Sequence, residues 1–141
     1  MDLTAHAPRS PRTRVGNYVI LARAIDKGHA DIDGDLGDYH FDCPLDNILF
    51  GFKGVEGSSV RKLLADGATD EEIAAWLDVN GTPKTAKEVM AWSDKMETVN
   101  PSNDPEKKEW FAEQVKPLGL DPATTTLFDW LEADDKASYP N

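Results

Sequence analysis

A single cysteine, Cys43, has no partner for an intramolecular disulfide, so burial must hold the fold and a reducing compartment is the natural setting. No apolar run approaches the roughly 20 residues needed to span a bilayer. The opening MDLTAHAPRSPRTR has no apolar signal core. Both absences lead to the expectation of a cytoplasmic protein without a membrane partner. Positive charge is also scarce: 15 Lys and Arg stand against 26 Asp and Glu, a net charge of -11. Nucleic acid is therefore not an expected partner, because phosphate contacts need clustered Lys and Arg. A Walker loop, a dinucleotide fingerprint, a nucleophile elbow and an HExxH motif are all missing. Phosphate and nicotinamide chemistry are disfavoured, and no cofactor is expected.

What is present describes an ordinary globular chain. It has 141 residues, 40% hydrophobic and 29% charged, enough for one domain with one core. Residues 1–13 read as an N-terminal arm, kept extended by Pro8 and Pro11, with Arg9, Arg12 and Arg14 reaching back to an acidic body. Residues 14–141 read as a single helical domain.

Helical periodicity dominates that domain. The stripe Val15, Tyr18, Ala22 and Ile25 predicts a first helix over 15–28, with Gly28 as its stop. A helix over 59–66 carries Val60, Leu63 and Leu64. Thr69 and Glu72 form a capping-box pattern, and Thr85 and Glu88 repeat it, predicting helices over 69–79 and 86–98. Asp104-Pro105 starts another over 105–116. Asp121-Pro122 repeats the start signal before a last helix carrying Leu127, Phe128, Trp130 and Leu131. Trp76, Trp92, Trp110 and Trp130 each lie on an apolar stripe and are expected in the core. The fold class is mostly α, with six or seven short helices around one core and one short extended segment near 39–43.

That segment belongs to the most informative stretch, YHFDCPLDNILFGFKGV, residues 39–55. Before Pro44, the residues Tyr39, Phe41 and Cys43 alternate with His40 and Asp42. After it, Leu45, Ile48, Leu49 and Phe52 fall on one helical face. Cys43 thus stands where a helix begins, with Pro44 as its first residue. The candidate catalytic residues are Cys43 as nucleophile, His40 as base and Asp42 as orienting carboxylate, supported by helix-terminal N–H groups that could hold an oxyanion. Asp46 and Asp42 weigh against this, because negative neighbours oppose a thiolate. Tyr39, Phe41, Asp46 and Phe52 are the candidate binding residues. No metal is assigned. Asp31, Asp33 and Asp35 begin like a calcium loop, but Leu36, Asp38 and Asp42 occupy the positions that need Gly, an apolar residue and Glu. His6, His29, His40 and Cys43 match no compact zinc spacing.

The stretches DLTAHAPRSPRTRVGNYVILARAIDK, GDYHFDCPLDNILFGFKGV, AAWLDVNGTPKTAKEVMAWSDKME and TLFDWLEADD together resemble a bacterial family of small single-domain proteins known only as a domain of unknown function. The resemblance implies a bacterial single-domain protein and carries no activity, cofactor or catalytic residue. The residues themselves lead to three functional expectations. The first is a small helical binding module whose groove is lined by residues 39–53 and a neighbouring tryptophan helix. The second is a small hydrolase of esters, thioesters or lactones using Cys43. The third is an acidic protein-interaction subunit. The partner is accordingly a small molecule or a protein.

Overall fold

Thr69, Thr85 and Thr126 each accept a hydrogen bond from the backbone N–H three residues on, and that residue's carboxylate accepts one from the threonine's own N–H. These reciprocal caps start three of the helices in the computed structural model, which describes residues 1–139. Among those residues there are seven α-helices and no strand: α1 (Leu21–Asp33), α2 (Pro44–Lys53), α3 (Gly57–Ala65), α4 (Asp70–Val79), α5 (Ala86–Met96), α6 (Lys108–Val115) and α7 (Leu127–Ser138). Short 3-10 turns lie at Pro101–Asn103 and Lys116–Leu118. The chain is all-α.

α1 is the hub, with α2, α3 and α4 packed on it. Leu21 and Ile25 meet Leu49, Phe50, Val60, Leu64, Ile73, Leu77, Val89 and Phe128 in the buried core. Every residue of α1 from Leu21 to Gly28 is buried, charged ones included. Each buried charge has an opposite partner: Arg23 with Asp135, Asp26 with Arg9, and Lys27 with Asp46. Burying charge is costly unless it is paired, so α1 depends on the segments that bring those partners.

One such segment is the stretch before α1. Leu3, Val15, Tyr18, Val19 and Ile20 are buried in it. Arg9 reaches Asp26 and Asp70, Arg12 reaches Asp129 and Glu132, and Arg14 reaches Asp94 and Glu97. Residues 1–20 therefore lie against the body through both apolar and ionic contacts.

Several sequence expectations need correction. The first helix starts at Leu21 and not near 15, because Val15 and Tyr18 bridge across a turn through Gly16 at φ 60°. Ile20 then enters the helix at φ 74°, a strained value for a β-branched residue. Gly28 does not stop the helix, which runs on to a left-handed cap at Gly34. α3 packs against Gly28: an ideal Cβ there would lie 2.4 Å from Leu64 Cδ1.

The segment near 39–43 is not an extended strand, for it has no neighbouring strand to pair with among the described residues. It turns at Asp42, φ 60°. Asp46 Oδ2 accepts from the Asp42 N–H at 2.9 Å, and Asn47 Nδ2 donates to the Asp42 carbonyl and carboxylate.

Two start signals cap turns instead of helices. Asp104 accepts from the Glu106 N–H and Asp121 from the Ala123 N–H, while α6 begins at Lys108 and α7 at Thr126's cap. The tryptophans are also less buried than expected. Trp76 and Trp92 are half-buried against the core, Trp130 is half-buried, and Trp110 is 45% exposed.

Candidate functional site

Cys43 occupies the N-cap of α2 with extended backbone, φ -79° and ψ 173°, and Pro44 is the first helical residue. Pro fits there because its missing N–H would have no intrahelical partner. The sulfur makes no capping bond. It instead accepts a hydrogen bond from Lys27 Nζ at 3.1 Å. Lys27 comes from α1 and is 3% exposed. Its ammonium also lies 2.8 Å from Asp46 Oδ1, one turn along α2, on a carboxylate that is fully buried. Oδ1 has no partner other than this ammonium. Lys27, Cys43 and Asp46 thus form a compact unit between α1 and the start of α2.

Cavities open on both sides of Cys43. One is a groove of about 660 Å3 whose apolar lining includes Leu45, Ile48, Val99, Leu127, Trp110 and Trp130. Its aromatic wall is ordered: Trp110 and Trp130 meet edge to face at 5.4 Å, and Phe111 meets Trp130 the same way at 5.9 Å. The other is a recess of about 360 Å3 lined by Arg23, Lys27, Tyr39, His40, Asp134 and Tyr139 among others. Cys43, Leu45, Trp130 and Leu131 line both.

The recess is rigidly built. Arg23 holds the Asp135 carboxylate through both terminal nitrogens, at 2.6 and 3.1 Å. The Tyr39 hydroxyl donates to the same carboxylate at 2.9 Å, its ring lies under the Arg23 guanidinium, and it stacks on Tyr139 at 6.5 Å. Burial, reinforced by the bond to Asp135, pushes the Tyr39 phenol well above its ordinary value of 10.0.

The residues singled out from sequence scatter around this centre. Cys43, His40 and Tyr39 line the cavities. His40 is exposed, and no hydrogen bond joins it to Cys43 or Asp42 among the described residues. Asp42 is engaged with Asn47. Asp46 is the buried partner of Lys27. Phe41 packs on Phe50 at 6.2 Å, away from both cavities. Phe52 stacks on Trp92 at 4.4 Å with Lys84 Nζ 4.9 Å from its ring centre, on a different part of the surface. Sequence reasoning missed Lys27, Arg23, Trp110, Leu131 and Tyr139 as lining residues. The available signal was the pair Arg23 and Lys27, four residues apart on one face of the first helix.

No described helix is long and apolar enough to cross a membrane. Among the described residues no three His, Cys, Asp or Glu side chains gather as metal ligands. The chain belongs to the family described as "Domain of unknown function (DUF5069)", whose model matches residues 5–137. No curated protein matches the sequence.

Proposed function

We propose that the protein is a binding module for a small amphipathic molecule, held with its apolar part in the groove and its polar part in the adjoining recess. The observation that carries this reading is the shared seam. A mostly apolar groove, with Asn100, Asp104, Glu106 and Lys107 also in its lining, and a recess lined by Arg23, Lys27, Tyr39 and Tyr139 meet at Cys43, Leu45, Trp130 and Leu131. A volume of about 660 Å3 suits a small molecule, since such sites are concave, mostly apolar and furnished with a few fixed polar groups. A protein partner would favour a flatter and wider apolar surface.

Titration of straight-chain alkanoates, alkyl alcohols and alkylammonium ions tests it, read by Trp fluorescence. Affinity should rise with chain length toward about 0.8 kcal/mol per buried methylene in at least one series. Trp110→Ala should weaken that binding at least tenfold, while Phe52→Ala, on the other surface, should leave it unchanged. Absence of saturable binding in all three series, or indifference to Trp110→Ala, would sink the proposal.

A second reading is favoured by Lys27. In a hydrolase of acyl esters or thioesters, the Cys43 sulfur would attack an acyl carbonyl lying at the seam and expel the alcohol or thiol, and water would then cleave the acyl–sulfur bond to release the acid and restore the thiol. The acyl chain would fill the groove and the leaving group the recess. Lys27 would hold the sulfur, and the free N–H groups in the first turn of α2 would face the oxyanion. Cys43→Ser should then abolish turnover of acyl thioesters while preserving ligand affinity. Equal turnover in the serine variant would eliminate the nucleophile role.

A further inference from the structure

We infer that Lys27 and Cys43 are a built-in oxidant-responsive pair, in which peroxide drives formation of a direct bond between Lys27 Nζ and Cys43 Sγ. This goes beyond either functional reading and does not depend on what fills the groove. The chain's one thiol lies 3.1 Å from a primary amine that is itself buried and held in place. Lysine amines are usually solvated and mobile, whereas this one is buried and fixed against the sulfur. Cys43 is half-buried and lines both cavities, so a molecule as small as hydrogen peroxide can reach the sulfur.

Beside this pair lies Asp46 Oδ1, a fully buried carboxylate oxygen 2.8 Å from the same nitrogen and with no partner other than that amine. An ammonium cannot attack sulfur until it loses a proton, and Oδ1 has the free lone pair and the position to take it.

The chemistry balances with one equivalent of peroxide. The sulfur attacks a peroxide oxygen, an S–O bond forms, the O–O bond breaks, and the departing hydroxide becomes water. Cys43 is then a sulfenic acid, which condenses readily with a nearby nitrogen. Lys27 Nζ, having passed a proton to Asp46 Oδ1, attacks the sulfur. The N–S bond forms, the S–O bond breaks, and the hydroxyl leaves as water with a second proton from nitrogen. Thiol, ammonium and peroxide thus give the N–S link, two waters and one proton. Sulfur loses two electrons and peroxide gains them. A thiol reductant reverses the change, restoring thiol and amine while becoming a disulfide. In the linked state the Lys27 charge is gone from the recess.

Peptide mapping of the intact protein after brief peroxide treatment tests this. Trypsin normally cuts after Arg23, Lys27 and Lys53, leaving Lys27 and Cys43 on separate peptides. The link should abolish cleavage after Lys27 and give a single peptide spanning residues 24–53. Its mass should be two hydrogens below that of the uncut reduced peptide, and dithiothreitol should restore cleavage. Lys27→Arg keeps a cation beside Asp46, so the fold is preserved. That variant should stop at a sulfenic acid that dimedone traps. Normal cleavage after Lys27 in oxidised wild-type protein would overturn the inference, whatever oxidation state Cys43 reached. So would a link that retains an oxygen atom, since that rules out displacement at sulfur.

Discussion

Gly28 has no side chain because α3 leaves no room for one. An ideal Cβ would lie 2.4 Å from Leu64 Cδ1 and 3.2 Å from Phe41 Cε1, and Leu64 is itself buried. On propensity alone Gly28→Ala should help a mid-helix position by about 1 kcal/mol. Overpacking in a filled core costs about 1–3 kcal/mol and should win. Urea denaturation should therefore show Gly28→Ala as destabilised, with Leu64→Val in the same background recovering part of the loss. A more stable single variant would mean that α1 and α3 pack less tightly than described. The same residue explains a misreading. A glycine after an apolar stripe looks like a helix stop, and sequence holds no sign that a neighbouring helix needs the space. Cys43 is the opposite case. Its place at the start of α2 was legible from Pro44 and the change of period, because both signals are local. Lys27 was not legible as its partner, because the contact spans 16 positions and depends on how α2 docks on α1.

At the scale of the helix, local chemistry was read well and boundaries set by tertiary contacts were not. α4 and α5 begin where their capping boxes place them, since a threonine and a glutamate three residues apart carry the whole instruction. α7 uses Thr126 and Asp129 in the same way, a variant of the pattern that the stronger-looking Asp121-Pro122 signal concealed. Replacing Thr69 or Thr85 by Ala should cost about 1 kcal/mol through the lost cap. Thr126→Ala should cost more than either, because its hydroxyl also accepts from Arg12 Nη2 at 3.3 Å. Thermal melts of the three variants check this ranking, and equal losses would show that the Arg12 contact contributes nothing. The buried stretch of α1 from Leu21 to Gly28 was the least legible segment. Its sequence carries Arg23, Asp26 and Lys27, and each charge is neutralised by a residue far along the chain.

Across the whole molecule, two phenols, Tyr18 buried and Tyr39 half-buried, bear on the response to alkali. Burial, helped by Asp78, raises Tyr18 above its ordinary 10.0, and burial helped by Asp135 does the same for Tyr39. A raised folded value means that the native state keeps these protons after the unfolded chain has released them. Their contribution is thus fully present below pH 10 and declines as pH rises from there toward the folded values. Denaturation free energies should fall steeply above pH 10, and the Tyr18→Phe/Tyr39→Phe double variant should show a shallower fall. An unchanged slope would remove these phenols as the cause. The wider organisation has a kinetic side. α7 contributes Phe128 to the core with Leu127 and Leu131 packed beside it and Trp130 against Trp110 and Phe111, and its polar ties reach back across the sequence: Ser10 to Glu132, Arg12 to Asp129, Arg23 to Asp135. Such distant pairings form late in folding, after the short-range helices have docked. An element held this way is also the natural unit to open first, as a cooperative segment lying below the global unfolding free energy. Trp130 and Leu131 would swing out with it, so both cavities would empty while the hub around α1 stayed folded. Exchange of α7 amides with solvent would then report, residue by residue, how often the proposed binding site ceases to exist.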